Sequence, residues 1–538
     1  MPLKSVFPDV EIIETPNLVD YVFWDAAHRD PSTTVLIDSD TGASVSLARL
    51  RYDIEHLSKS LQAYGVRKGD VVAFCLPNCV HYMPIALATI SRGAVFCGIN
   101  PNYTHDEYEY HLTDCTAQLV FVSIESVKNV CHAIKNMGSR QRVVLIDESG
   151  YPGTISYKDF VAASESVATL APVSVNPKAD TACMLYSSGT TGRPKGVMLS
   201  HAALATSMQL IFEPNLFDYS KPGEYVIGML PMFHIMGLLV AVNAIRIGAV
   251  LIVMRKYESE KLLFLIQKYK VRMLYVVPPL LVFLAKDALV DKYDLSSLRT
   301  ILVGAAPVGK ELHEEVLARL PNVELLCQGY GMTESGTGTM VTPKWKSKPG
   351  SCGMLIPNYS AKVVNVDNGK ECGPHEPGEI WVRGPTLMLG YFRNSKATKE
   401  TIDEDGWLHS GDIGYYDEDG CFFIVDRLKE LIKVKGFQVS PAELEDLLIS
   451  HPAVDDAAVI AKPDPISGEV PKALVVRKPN VHVTEKELLQ FVEKHVASYK
   501  RLKGGIEFID VVPKSASGKI LRRILQQREK EIYMNSKL

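Results

Sequence analysis

Short, unbroken apolar runs recur along this chain between stretches with helical spacing: Val71-Val72-Ala73-Phe74, Leu119-Val120-Phe121-Val122, Val143-Val144-Leu145-Ile146, Val250-Leu251-Ile252-Val253 and Ile301-Leu302-Val303. A strand with one face in water alternates polar and apolar residues, whereas an unbroken run needs cover on both faces. The pattern therefore predicts an α/β fold in which parallel sheets are covered by helices. No internal repeat or low-complexity segment interrupts it. At 538 residues the chain exceeds what one core supports, so two or more domains are expected. A boundary is suggested by the acidic turn Tyr415-Tyr416-Asp417-Glu418-Asp419-Gly420, the short strand Cys421 to Val425 and the charged pair Asp426-Arg427. A hinge at Asp426 divides the chain into 1–425 and a smaller α+β unit, 426–538. In the latter, Ser440-Pro441-Ala442-Glu443 and Thr484-Glu485-Lys486-Glu487 each carry the signature of a helix start.

Composition excludes several classes. With 46% apolar and 22% charged residues and a net charge of −4, nothing favours nucleic-acid binding, and any basic patch must be local and aimed at a small anion. The ten cysteines are scattered. The closest pair, Cys75 and Cys79, lacks zinc-ligand spacing, so reduced core thiols are expected. The first residues contain no apolar segment of the secretory kind, which fits an intracellular setting. The most apolar stretch, Ile235 to Met254, holds Asn243 and Arg246 centrally and reads as a buried helix followed by a strand, not a transmembrane span. The chain ends Ser536-Lys537-Leu538, which reads as the peroxisomal address and implies the import receptor as a partner.

The loop Tyr186-Ser187-Ser188-Gly189-Thr190-Thr191-Gly192-Arg193-Pro194-Lys195-Gly196 packs hydroxyls, glycines and cations together. Glycine lets backbone N–H groups turn toward an anion, Ser and Thr hydroxyls donate further bonds, and Lys195 adds charge, so the loop suits a polyphosphate. It is not a Walker A loop: counting from Gly189, Pro194 stands where the second glycine belongs and Gly196 where the Mg²⁺-binding hydroxyl belongs.

With this loop the chain carries, in order, Gly304-Ala305-Ala306-Pro307, Gln328-Gly329-Tyr330-Gly331-Met332-Thr333-Glu334, Ser410-Gly411-Asp412, Asp426-Arg427-Leu428-Lys429-Glu430-Leu431-Ile432-Lys433-Val434-Lys435-Gly436 and Pro513-Lys514-Ser515-Ala516-Ser517-Gly518-Lys519. Together these resemble the adenylate-forming superfamily, which includes acyl- and aryl-CoA synthetases, 4-coumarate–CoA ligases and beetle luciferases. The resemblance covers nearly the whole chain. It implies a large adenylation domain, a mobile C-terminal lid, and an ATP-dependent ligase that makes an acyl-adenylate, releases pyrophosphate and transfers the acyl group to coenzyme A.

The resemblance also implies site residues. Ser187, Ser188, Gly189, Thr190, Thr191 and Lys195 would hold the β- and γ-phosphates, Thr333 the α-phosphate, and Glu334 a Mg²⁺ ion, since a carboxylate beside phosphates makes sense only with a metal. Ala306, Gln328, Gly329 and Tyr330 would surround the base, with Asp412 and Arg427 at the ribose. Lys519 would bring an ammonium to the oxygen bridging the substrate carboxylate and the α-phosphate. After lid rotation Lys429 and Lys433 would contact the adenylate, Lys435 and Gly436 coenzyme A, and Gln438 would assist thioester formation. The acyl-adenylate is already activated, so the pantetheine thiol needs no dedicated triad. Lys256 is assigned to a CoA phosphate, with a solvated Arg255-Lys256 pair as the alternative. His234 aligns with the family's pocket histidine and would orient or gate the acyl carboxylate.

Two departures bear on the acid. Met236 stands where coumarate ligases carry Tyr, and Ser335-Gly336-Thr337-Gly338-Thr339 replaces a Pro-Val-Leu type wall. Both remove contacts to a phenolic ring, which favours a medium or long fatty acid or a related aryl-alkyl acid over hydroxycinnamate. The alternatives are a 4-coumarate-type aryl-CoA ligase, a luciferase-like monooxygenase and a binding protein without turnover. The luciferase histidine motif, usually His-His-x-Phe, differs from Phe233-His234-Ile235-Met236.

Overall fold

The computed structural model describes residues 2–147, 150–187, 194–213, 216, 220–428, 430–434, 437–464, 467–479, 481–496, 498–514 and 518–535. The fold is α/β, as the runs predict. Val71–Cys75 and Val95–Gly98 lie at the centre of an eight-stranded sheet ordered Gly390–Tyr391, Lys195–Ser200, Thr181–Ser187, Val95–Gly98, Val71–Cys75, Leu119–Val122, Arg142–Leu145, Ile155–Ser156. From Thr181–Ser187 onward every pair in that order is parallel. Lys195–Ser200 returns antiparallel to Thr181–Ser187, and Gly390–Tyr391 closes that edge.

Val250–Val253 and Thr300–Val303 belong to two further sheets. In the first, Tyr225–Gly228, Val250–Val253 and Thr34–Asp38 run parallel; in the second, Met273–Val276, Thr300–Val303 and Leu325–Met332 do. Their parallel ladders aim strand ends and following loops at one edge, where open α/β sheets place ligands. An antiparallel sheet then carries Leu408–Tyr416 and Phe422–Arg427 side by side. The last strand runs two residues past the expected Val425, because Asp426 and Arg427 continue the ladder opposite Ile413 and Asp412.

The stretch Ile235–Met254 forms a buried helix, Ile235–Ile247, closed by Gly248 at φ +76°, and the strand Val250–Val253. Beyond Ile432 a separate cluster of buried side chains includes Val434, Leu444, Leu448, Val459, Val475 and Leu488. Both expected helices stand there, over Pro441–Ser450 and Glu485–His495. At the second, Thr484 and Glu487 form the full reciprocal box, whereas at the first Ser440 receives the Glu443 N–H and the Glu443 carboxylate turns instead to Lys500. No helix among the described residues is long and apolar enough to cross a membrane. The Ser536–Leu538 tail lies outside the described residues.

Candidate active site

A carboxylate organises the first cluster. Asp412 sits directly across the ladder from Arg427, whose Nε lies 3.1 Å from Asp412 Oδ1, and the Tyr330 hydroxyl donates to Oδ2 at 2.8 Å. Asp412 is placed by the turn before it: Gly411 takes φ +69°, its N–H donates to Glu379 Oε1 at 2.9 Å, and Ser410 Oγ accepts the Asp412 N–H at 3.0 Å. Burial pushes the Asp412 carboxyl above the ordinary range, while the Arg427 charge and the Tyr330 phenol pull it back.

Beside Tyr330, Gly304 and Gly329 present bare backbone. A methyl carbon on Gly329 would meet nothing nearer than Met340 O at 3.9 Å, and one on Gly304 nothing nearer than Gly329 O at 3.6 Å. This strip has room for a flat ring. Between these glycines Ala305 holds φ +74°, a conformation costing a residue with Cβ on the order of 1 kcal/mol. Gln328 keeps the loop there: its Oε1 accepts the Val308 N–H at 3.1 Å and its Nε2 donates to Val308 O at 3.3 Å. The amide expected to read a base is thus engaged with the loop that carries Ala306, so Gln328 shapes the pocket through that loop.

The second cluster faces the expected phosphates. Ser188, Gly189, Thr190 and Thr191 lie outside the described residues, but both ends of their loop are in place, with Ser187 paired to Lys195 across the ladder. Ser187 Oγ is buried and has no hydrogen-bond partner among the described residues, as suits a hydroxyl that meets a ligand oxygen. Two phenols tie the loop's ends to the helix His105–Cys115: Tyr110 donates to Pro194 O at 2.6 Å and Tyr186 to Asp114 Oδ2 at 2.7 Å. The Lys195 ammonium stands 4.5 Å above the Tyr391 ring, and the Tyr391 hydroxyl donates to Glu334 Oε1 at 2.8 Å.

Glu334 is buried in the short turn Thr333–Ser335. The Thr386 hydroxyl donates to Ser335 O at 2.6 Å, Ser335 Oγ folds back onto Met332 O at 2.9 Å, and Gly336 takes φ +73° with Thr386 O only 2.3 Å from where its Cβ would stand. Ser335 and Gly336 therefore brace the Glu334 turn.

The third element comes from the C-terminal region. Lys519 lies close enough to Asp412, Glu430, Arg427 and Arg522 to feel their charges; burial foremost, then Arg427, brings its amine down to about 8. Gly518, at φ +78°, leaves room for Pro279, whose Cδ and Cγ would each be 3.1 Å from an added Cβ. Arg522 binds Glu430 and Glu445, fixing the start of the helix Arg522–Asn535 behind Lys519. Lys433 is elsewhere, exposed on the strand Ile432–Val434 opposite Gln438, with its N–H on Glu469 Oε2 at 2.8 Å. Lys429, Lys435 and Gly436 lie outside the described residues, and Gln438 is described only through its backbone.

His234 precedes the helix Ile235–Ile247 and makes no side-chain cap. Its ring packs on Phe233 at 4.5 Å, and burial lowers its pKa to about 4, so it is a neutral imidazole at pH 7. Close approach is allowed by two glycines: a Cβ on Gly98 would lie 2.8 Å from Phe233 Cα, and one on Gly237 would lie 2.1 Å from Pro231 O. The Arg255-Lys256 pair splits. Arg255 is held by Glu125 at 2.8 Å, while Lys256 is exposed and makes no ion pair among the described residues. Sequence reasoning missed Tyr391, Tyr110 and Thr386, which come from distant segments and share no local pattern with the groups they touch.

The sequence profile of AMP-binding enzymes matches residues 23–392, and that of the AMP-binding enzyme C-terminal domain matches 443–519. The chain is 40% identical over 537 residues to "Probable 4-coumarate--CoA ligase 1" of Dictyostelium discoideum, covering 97% of each chain. It is 41% identical to 4-coumarate--CoA ligase 4 of Arabidopsis thaliana, covering 98% of this chain and 94% of that one. Among solved structures it resembles ATP-bound MatB from Rhodopseudomonas palustris, with TM-score 0.86, 28% identity and coverage of 97% and 100%. It also resembles the anthranilate CoA ligase AuaEII in complex with anthranoyl-AMP, with TM-score 0.87, 26% identity and coverage of 98% and 99%.

Proposed function

Because the chain belongs to the AMP-binding enzyme family, we propose that it is an ATP-dependent acyl- or aryl-CoA ligase working in two steps at the clusters described. One observation carries the residue roles: Lys519, from near the C-terminus, comes within electrostatic reach of Arg427 and of Asp412, which pairs with Arg427 and accepts from Tyr330. In the first step a carboxylate oxygen attacks the α-phosphorus of ATP, the bond to the β-phosphate oxygen breaks, and pyrophosphate leaves. Asp412 accepts ribose hydroxyls, Gly304 and Gly329 leave space for the base, and Lys195 with the Ser187 hydroxyl holds the leaving phosphates. Lys519 offsets charge where the carboxylate and the α-phosphate meet.

The donor set beside the phosphates fits Mg²⁺, a cation bound through one or two carboxylates plus phosphate oxygens. Glu334, oriented by Tyr391, is the carboxylate, and the ion would screen negative charge on the departing pyrophosphate. In the second step the CoA thiol attacks the acyl carbon and AMP leaves, after residues 426–538 turn about Asp426 to exchange Lys519 for Lys433 and its neighbours. A domain division at 425/426 is supported by the separate buried cluster beyond Ile432. Neutral His234 is suited to meeting the acyl carboxylate without an ionic clamp.

For the acid we propose an apolar tail, aliphatic or aryl-alkyl. Met236, partly buried at the mouth of the Ile235–Ile247 helix, offers a flexible thioether instead of a phenol-reading hydroxyl. The test is pyrophosphate release with and without CoA over fatty, cinnamic and branched acids, with Lys519→Ala as control. CoA-dependent thioester formation lost in that variant supports the ligase. Pyrophosphate without thioester on any acid would overturn it, and a kcat/KM on 4-coumarate equal to that on the best aliphatic acid would overturn the acid assignment.

A further inference from the structure

Tyr391 belongs to none of the motifs that carry the family resemblance, yet it touches both ends of the phosphate cluster. One face of its ring lies 4.5 Å beneath the Lys195 ammonium, and its hydroxyl donates to Glu334 Oε1 at 2.8 Å. A cation this close to an aromatic face is attracted by the ring quadrupole, and a hydrogen bond to a carboxylate fixes which oxygen remains for another partner.

The backbone around Tyr391 is held without the hydroxyl. Tyr391 pairs with Val197 on the sheet edge, its N–H donates to Thr398 Oγ1 at 2.9 Å, and the preceding Met388 N–H donates to Glu334 O at 2.9 Å. None of these three bonds involves the hydroxyl. It leaves Glu334 Oε2 as the oxygen with no donor from Tyr391.

We infer that Tyr391 is a positioning residue that sets the Glu334 carboxylate for a divalent cation through its hydroxyl and the Lys195 ammonium for phosphate through its ring. The inference rests on the assignment of Glu334 and Lys195 made above. Removing only the hydroxyl should disturb the metal, while removing the ring should disturb metal and phosphate together.

The experiment is Mn²⁺ binding to the full-length protein followed by electron paramagnetic resonance in the presence of α,β-methylene-ATP, with nucleotide affinity measured separately in EDTA. Partners that orient a metal ligand typically change affinity 10- to 100-fold, so Tyr391→Phe should weaken Mn²⁺ by about tenfold and leave nucleotide affinity in EDTA within about twofold. Tyr391→Leu should weaken both. Tyr391→Phe added to Glu334→Gln should weaken Mn²⁺ no further than Glu334→Gln alone, a result that simple loss of packing would not give. If Glu334→Gln weakens Mn²⁺ but Tyr391→Phe does not, or if Tyr391→Phe weakens nucleotide in EDTA as much as metal, the positioning role is overturned and the Glu334 assignment stands. If Glu334→Gln leaves Mn²⁺ unchanged, both are overturned.

Discussion

Lys519 and Lys433 both follow Asp426, and both are lysines in glycine-bearing basic motifs, yet they occupy opposite environments. Lys519 is carried into the Asp412–Arg427–Tyr330 cluster, loses hydration and has its amine lowered to about 8. Lys433 points into solvent from a strand whose N–H is held by Glu469. The buried arrangement is stabilised by Arg522 against Glu430 and Glu445 and by the Gly518 contact with Pro279. In this structure Lys519 faces the Asp412 cluster and Lys433 does not. A chemistry with two transition states of different charge distribution gains from exchanging them.

The contrast breaks most sharply at Lys519. Lys519→Ala should slow CoA-independent pyrophosphate release about 100- to 1,000-fold, the range for removing one group that stabilises developing charge. Thioester formation from a supplied acyl-adenylate and CoA should stay within about threefold. Equal loss in both half-reactions would mean that the two lysines do not divide the work. The mirror variant, Lys433→Ala, should slow thioester formation about 30-fold, the size of a lost charge-assisted bond, and leave pyrophosphate release nearly intact. Rapid-quench measurement of each half-reaction separates the two.

The depressed amine of Lys519 gives the first half-reaction a pH signature. The ammonium is present below about pH 8 and is lost as pH rises through that value. Pyrophosphate release without CoA should therefore be flat below that point and fall about tenfold by one pH unit above it, as general titration requires. Glu430 holds the proton on Lys519, so Glu430→Gln should move the descent to lower pH. A profile flat to pH 10 would place the ammonium outside the cleft during the first step.

Much of the site was legible because its parts are short and local. Ser410-Gly411-Asp412 needs a turn and a carboxylate, and the structure supplies both within three residues. Apolar runs gave the strands for the same reason: cover on both faces leaves no alternation. What stayed hidden depends on segments meeting across the fold. Tyr391 reaches Glu334 and Lys195 because Gly390–Tyr391 closes a sheet edge that no pattern near it announces. Gln328 reads as a base contact within its motif, but the adjacent Val308 backbone uses its amide. Ser335 and Gly336 read only as a departure from a Pro-Val-Leu type wall, and the 2.3 Å between Thr386 O and the place of a Cβ on Gly336 shows how tightly that turn is braced.

The smallest effect tests the docking that keeps Lys519 inside. Gly518 takes φ +78° and faces Pro279, so Gly518→Ala adds strain of about 1 kcal/mol for a left-handed residue with Cβ, and the new carbon must also displace Pro279 at 3.1 Å. Pyrophosphate release should fall about fivefold, consistent with a penalty near 1 kcal/mol, while thioester formation from supplied acyl-adenylate should not change. Gly420→Ala is the matching control: its φ is +77°, but nothing lies within 4 Å of the added carbon. It should lower the melting temperature to a similar degree and spare both half-reactions. If Gly420→Ala slows pyrophosphate release as much as Gly518→Ala does, general destabilisation explains both, and the Pro279 contact has no part in choosing which lysine enters the cleft.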